Sequence, residues 1–208
     1  MTVAGVPALP LEAGVVLCGG ASRRMGLDKA GLVLGGETLL ARAVGVLDAV
    51  APRVYLACGP LPRYAELGRE LVLDRRAGGG PLAGLESALL RLVEDGGGWL
   101  GVLACDMPRA EPELLALCAA RGRERDLDAV FFEDEAGLEP LLGVVHTRAL
   151  PAVRAALERG ERRCIAFHPD VRVAALRASE LPLHLRSRGV ARNLNTPAEL
   201  DREREGAA

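Results

Sequence analysis

The residues whose types and spacing can do chemistry sit in two glycine-bearing loops and at two strand-end aspartates, and the chemistry they fit is the handling of a polyphosphate. The densest segment is Leu17-Cys18-Gly19-Gly20-Ala21-Ser22-Arg23-Arg24-Met25-Gly26-Leu27-Asp28-Lys29. Glycines directly after a strand let backbone N–H groups approach phosphate oxygens with no Cβ in the way. Arg23, Arg24 and Lys29 bring cations to the same loop. The segment fits neither the Walker pattern nor the dinucleotide G-x-G-x-x-G pattern. On glycine and charge alone it reads equally well as a tight turn carrying solvated arginines. Asp106, in Ala104-Cys105-Asp106-Met107-Pro108, ends the most apolar run of the chain. An acid there must be paired or bind a cation, and one carboxylate plus substrate phosphates is the usual magnesium arrangement in phosphoryl transfer. The plainer reading is an aspartate capping a helix that begins near Pro108. Asp74 carries the same ambiguity, with a structural turn as its plain reading. Gly78-Gly79-Gly80-Pro81-Leu82-Ala83-Gly84 reads as a second backbone-exposing loop entering a helix, whose N–H and C=O groups can read the edge of a base, or more plainly as a flexible linker.

The elements that must position these residues follow from hydrophobic spacing. Ala13–Cys18 is a short apolar run suited to a buried parallel strand. Thr38–Val50 has apolar residues at helical spacing, closed by Pro52. Arg53–Cys58 and Glu70–Asp74 read as strands, and a helix with Pro81 in its first turn runs to about Glu94. Gly96-Gly97-Gly98 reads as a linker before a central strand, Trp99–Cys105. Glu113–Arg121 reads as a helix, Asp128–Phe132 as a strand, Ala149–Glu158 as a helix and Val171–Leu176 as a late strand. Pro197–Glu205 reads as a charged helical end. Alternating strands and helices make an α/β fold, a Rossmann-like doubly wound, mostly parallel sheet. Ligands bind such sheets beyond the carboxyl ends of the strands, where strand order reverses. Gly19-Gly20, Asp74 and Asp106 all fall at such ends, so one crevice can hold them.

Composition narrows the class. A chain of 208 residues suits one domain spanning 1–208, with residues 1–12 as a loose leader. One Trp, two Tyr and three Phe are too few for a base-stacking nucleic-acid surface. A net charge of −2 gives no global attraction to nucleic acid or anionic lipid. The five cysteines are widely spaced with no Cys-x-x-Cys pair, which indicates reduced, mostly buried thiols rather than a zinc site or disulfide framework. His146, His168 and His184 share no ligand spacing and read as surface or capping residues. No signal peptide and no membrane-length apolar run is visible, so a cytoplasmic protein with no membrane partner is expected.

The motifs together resemble the molybdenum cofactor guanylyltransferase family, a nucleotide-diphospho-sugar transferase-like fold. The first loop is similar to that family's signature Leu-x-Gly-Gly-x-Ser-x-Arg-Met-Gly-x-Asp-Lys. Gly80-Pro81-Leu82-Ala83-Gly84 resembles its base-recognition loop, Cys105-Asp106-Met107-Pro108 its metal-site strand end, and Glu139-Pro140-Leu141 a later strand. Asn193-Leu194-Asn195-Thr196-Pro197 is similar to its C-terminal Asn-x-Asn-Thr-Pro element. The matches run in family order from Leu17 to Leu200. The resemblance implies transfer of GMP from GTP to molybdopterin-type cofactor with Mg²⁺. It implies nucleotide contacts from Leu17, Cys18, Gly19, Gly20, Lys29, Asp74, Pro81, Leu82, Gly84 and Asp106, with Asp106 as metal ligand. Lys29, Arg24 and Asp106 are then the catalytic set, and Asn193 and Asn195 face the reacting phosphates or the pterin. Molybdoenzymes or their chaperones are the implied protein partners. Two positions depart from the pattern: Cys18 stands where Ala is usual, and Ala57-Cys58-Gly59 lacks an Asn often found there. The rival readings are the related cytidylyltransferase, a sugar-phosphate nucleotidyltransferase, and a non-catalytic nucleotide-binding carrier. Gly19 and Pro81-Leu82-Ala83-Gly84 favour guanine over cytosine.

Overall fold

Apolar runs alternate with amphipathic segments, and the chain folds them in that order. The computed structural model describes residues 9–19, 28–76, 78–186, 189–194 and 196–206. Strand β1 (Ala13–Leu17) is followed by a small hairpin, β2 (Val33–Leu34) and β3 (Glu37–Thr38), then α1 (Leu39–Asp48), β4 (Val54–Ala57) and the short β5 (Glu70–Leu71). Helix α2 (Gly80–Glu94) leads to β6 (Trp99–Ala104), and α3 (Pro112–Glu124) to β7 (Ala129–Asp134), which turns back into β8 (Gly137–His146). Helix α4 (Leu150–Glu158) precedes β9 (Val173–Arg177), and α5 (Leu183–Arg186) and α6 (Pro197–Gly206) follow.

The main sheet has the order β5-β4-β1-β6-β8-β7-β9. All its neighbours pair in parallel except those of β8, which runs against both β6 and β7. β1 and β6 are buried along their whole length because helices cover both faces. Leu40, Ala43 and Leu47 of α1 and Leu114, Leu115 and Cys118 of α3 pack on one face. Leu82, Leu85 and Leu89 of α2 and Val153 and Ala156 of α4 pack on the other. The sheet is thus the middle of three layers. Among the described residues no helix is long and apolar enough to cross a membrane.

Several expectations need correction. β8 is a full strand that hydrophobic spacing did not show, and β5 stops at Leu71, leaving Asp74 beyond the strand. Gly96-Gly97-Gly98 is not a slack linker. All three have positive φ, Gly97 N–H donates to Leu92 O at 2.8 Å, and Gly98 N–H donates to Thr147 Oγ1 at 3.0 Å. Side chains with a Cβ rarely adopt that backbone, so the run makes a tight helix-to-strand turn.

His168 is likewise neither a cap nor a surface residue. Its ring stacks on Phe131 at 5.0 Å and meets Phe167 edge-on at 4.9 Å, and its Nε2 is buried with no hydrogen-bond partner among the described residues. Burial pushes its pKa down to about 4, against an unfolded value near ~6.5. The neutral ring therefore stabilises the fold fully above the unfolded value, and that contribution fades as pH falls toward about 4. Between pH 7 and 5, His168→Phe is expected to lose less stability than the parent, by at most ~1.4 kcal/mol per pH unit. Urea unfolding of both proteins measures this, and parallel pH profiles would remove the role.

Candidate active site

The sheet's strand order reverses at β1. One branch runs to β4 and β5, the other to β6, with Leu17 in register with both Ala57 and Ala104. Ligands of such sheets bind beyond the strand ends at this reversal, and the chain places Cys18, Gly19 and Asp106 there. Cys18 N–H donates to Ala57 O at 3.0 Å, and Cys105 N–H donates to Leu17 O at 3.4 Å, so β-type pairing continues one residue past each strand. Gly19 then lies directly against the Cys58-Gly59 backbone: a Cβ built on it would be 2.4 Å from Gly59 N. Gly59 O in turn accepts from Asp74 N–H at 3.0 Å. Asp74, Gly19 and Leu17 are thereby fixed to one another through main chain. Burial holds the Asp74 carboxyl above its ordinary pKa.

Lys29 Nζ donates to Asp106 Oδ2 at 2.9 Å, across 77 residues of sequence. Both side chains are about one-fifth exposed, so the pair faces the crevice without being solvated like a surface pair. The lysine is aimed by local structure. It opens a single 3-10 turn, Lys29–Gly31, whose N-cap Asp28 accepts from Ala30 N–H at 3.3 Å. Asp28 also pairs with Arg63 and accepts from Tyr64 Oη, which ties this turn to the segment after β4. Asp106 does not cap a helix: α3 begins at Pro112 with Glu111 at its N-cap.

The second loop docks on the opposite face. Gly84 of α2 faces the ends of β1 and β4: a Cβ there would lie 3.1 Å from both Leu17 Cδ2 and Ala57 Cβ, and 3.7 Å from Asp74 Oδ1. Leu82 is fully buried, and its N–H donates to Arg162 O at 3.3 Å. Leu82 therefore anchors the segment, leaving exposed Gly78 and Pro81 and half-buried Gly80 as its accessible part, while Gly79 is buried. Glu86, only 3% exposed, lies 3.5 Å from Arg76 Nε and 3.4 Å from Arg154 Nε, which holds the chain just after Asp74 onto α2 and α4.

The C-terminal segment reaches the same crevice from the side. Leu194 is buried with Leu34, Leu39 and Leu200, and its N–H donates to Asp106 O at 2.9 Å. Its neighbour Asn193 donates from Nδ2 to Glu139 Oε2 at 2.9 Å, while Asn193 Oδ1 is buried with no partner among the described residues. Glu139 Oε1 accepts from Leu141 N–H at 3.3 Å. Burial, with Asp106 nearby, holds the Glu139 carboxyl above its ordinary pKa.

The structure thus gathers Leu17, Cys18, Gly19, Lys29, Asp74, Gly84, Asp106 and Asn193 around the strand ends. Gly20, Arg24 and Asn195 lie outside the described residues. Sequence reasoning had given no role to Asp28, Arg162 or Glu139. Asp28 was legible as a cap one residue before a helical turn, whereas the contacts of Glu139 and of the Arg162 carbonyl depend on chain crossings that no local pattern encodes.

Comparisons with known proteins agree with this geometry. Residues 14–173 match the MobA-like NTP transferase domain. A probable molybdenum cofactor guanylyltransferase of Opitutus terrae is 40% identical over 194 residues, covering 92% of this chain and 94% of that one. The molybdenum cofactor guanylyltransferase of Aliivibrio fischeri strain MJ11 is 29% identical over 192 residues, covering 90% and 92%. The crystal structure of molybdopterin-guanine dinucleotide biosynthesis protein A from Archaeoglobus fulgidus superposes with a TM-score of 0.79 at 26% identity, covering 94% of this chain and 98% of that one. The 2-C-methyl-D-erythritol 4-phosphate cytidylyltransferase of Thermus thermophilus shares the fold, with a TM-score of 0.63 at 16% identity, covering 93% and 97%. With a matched family domain over most of its length and a relative at 40% identity, the chain belongs to the MobA-like NTP transferase family.

Proposed function

We propose that this protein transfers GMP from GTP to the terminal phosphate of the molybdenum cofactor, forming the guanine dinucleotide and pyrophosphate. The observation that carries the reading is the Lys29–Asp106 pair, 2.9 Å apart at the switch point of the sheet, in a chain whose relatives bear that activity in their names. A phosphate oxygen of the acceptor attacks the α-phosphorus of GTP; the new P–O bond forms as the bond to the β-phosphate bridge breaks. The nucleophile is already an anion, so catalysis consists of positioning and charge neutralisation. The Leu17–Gly20 backbone and Lys29 grip the triphosphate, with Arg24 offsetting charge on the reacting oxygens. Asp74 and the Pro81–Gly84 loop hold the nucleoside end, and Asn193 and Asn195 hold the acceptor.

The donor set fits Mg²⁺. Asp106 is a hard carboxylate facing the crevice, and among the described residues no group of three or more His, Cys, Asp or Glu can hold a metal. Asp106 would therefore hold the ion with substrate phosphates completing its shell, and a bound Mg²⁺ supplies neutralisation of phosphate charge.

The test is pyrophosphate release in the presence of molybdopterin-type cofactor, Mg²⁺ and GTP, CTP or ATP separately. Release with GTP is expected. Release with CTP alone would overturn the guanine assignment, and nucleotide binding without any release would favour a cofactor carrier. Glu139→Ala removes the acceptor that orients the Asn193 amide. A lost hydrogen bond to a charged group corresponds to roughly tenfold in affinity, so KM for the cofactor is expected to rise by about that factor while KM for GTP stays put. Equal effects on both substrates would show that Glu139 is merely structural.

A further inference from the structure

Two thiols lie at the root of the nucleotide loop and have no part in the chemistry above. Cys18 and Cys58 follow the paired residues Leu17 and Ala57 of parallel neighbours β1 and β4, so they stand opposite each other and point to the same face. Their Sγ atoms are 3.1 Å apart. Adjacent strands in a sheet lie about 4.8 Å apart, within the span that a disulfide bridges, and its sulfurs need come only about 1 Å closer. Both residues are buried, at 5% and 3% exposure, but Gly19 beside them is exposed at the crevice. Thiols this buried admit a small oxidant more readily than a bulky one. The two sulfurs are unequal. The hydrogen bond between the two thiols, in which either can donate, and the nearby Arg63 guanidinium hold Cys58 below the ordinary thiol pKa, and Cys18 is held above it. Cys58 is therefore the attacking thiolate.

We propose that Cys18 and Cys58 form an oxidisable dithiol, which a small hydroperoxide closes into a disulfide that displaces the Cys18-Gly19 backbone and weakens nucleotide binding. The Cys58 thiolate attacks one peroxide oxygen, giving a sulfenic acid and, after protonation, water. Cys18 sulfur then displaces the second oxygen as water, forming the Sγ–Sγ bond. Two thiols and one hydrogen peroxide thus become one disulfide and two waters, and a thiol reductant reverses the change. The loop has no slack to absorb the closure, because Gly19 already touches the Gly59 backbone. Displacements of about 1 Å at a reacting site cost up to ~10²-fold. The effect on function, though not the bond itself, rests on the nucleotide role proposed for this loop.

The test treats the full-length chain with hydrogen peroxide, alkylates remaining thiols under denaturing conditions and digests with trypsin. The peptide ending at Arg23 is expected joined to Val54–Arg63, with Kd for GTP raised roughly tenfold and restored by dithiothreitol. Cys58→Ser should bind GTP as the reduced parent does, before and after peroxide; Cys58→Ala serves the same purpose if the hydroxyl disturbs packing. Cys118→Ser should respond as the parent. The proposal is overturned if no joined peptide forms, if it forms with Kd unchanged, or if Cys58→Ser loses affinity to the same degree. A reduced parent that fails to bind GTP would instead count against the nucleotide reading, since the cross-link is scored separately.

Discussion

Asp106→Ala is expected to lower pyrophosphate release from GTP by about 10²- to 10³-fold while shifting the melting temperature by only a few degrees. The side chain is about one-fifth exposed and its contact is the Lys29 ammonium at 2.9 Å. The fold uses a different atom of the same residue: the Asp106 carbonyl accepts from Leu194 N–H at 2.9 Å, and that bond survives truncation. Loss of rate without loss of fold therefore separates a chemical role from a structural one. Lys29→Ala should raise KM for GTP and lower kcat together, because it removes a cation that the phosphates meet in both ground and transition state. Residues in direct contact do not add, so the double variant should fall well short of the product of the two single losses. Turnover in purified Asp106→Ala at the parent rate would refute the proposed metal and charge role outright.

How far such a site can be read from sequence depends on the range of the forces that build it. β1 and β6 were legible because a strand covered on both faces must be apolar throughout, and AGVVL and WLGVLA are. The crevice followed from topology, since glycine and aspartate directly after such strands have few other places to be. Hydrophobic spacing missed β8, which only the family resemblance at Glu139-Pro140-Leu141 marked, because Pro140 lies inside it and proline within an apolar run argues against a strand. The structure accommodates Pro140 at an irregularity: Phe131 pairs with Gly143 while adjacent Phe132 pairs with Glu139. That same irregularity carries Glu139 to Asn193, 54 residues away in sequence. His168 was misread because a single histidine carries no periodic signal, and only its ring contacts with Phe131 and Phe167 show it packed against the core. Local pattern revealed what each loop contained, while the pairing of Lys29 with Asp106 needed three dimensions.

Gly19→Ala should be the most damaging single-methyl change near the site. The Cβ it adds would sit 2.4 Å from Gly59 N, 2.6 Å from Cys58 C and 3.0 Å from Gly59 Cα. These are main-chain atoms, so no side chain can rotate aside and the two strand ends must part. Overpacking of this kind costs about 1–3 kcal/mol, which in a chain of this size corresponds to a drop of roughly 3–10 °C in Tm. Function should suffer more than stability. Gly59 holds Asp74 through its carbonyl at 3.0 Å, so parting the strands moves the first loop and Asp74 in opposite directions. KM for GTP should rise by about 10- to 100-fold. Gly45→Ala is the matched control: it adds the same methyl in α1, where nothing lies within 4 Å, and should stabilise by about 0.5–1 kcal/mol with kinetics unchanged. Thermal melts and GTP titrations of the two variants decide the matter. If Gly19→Ala bound GTP as tightly as Gly45→Ala does, the close approach of the two loops would have no bearing on the nucleotide.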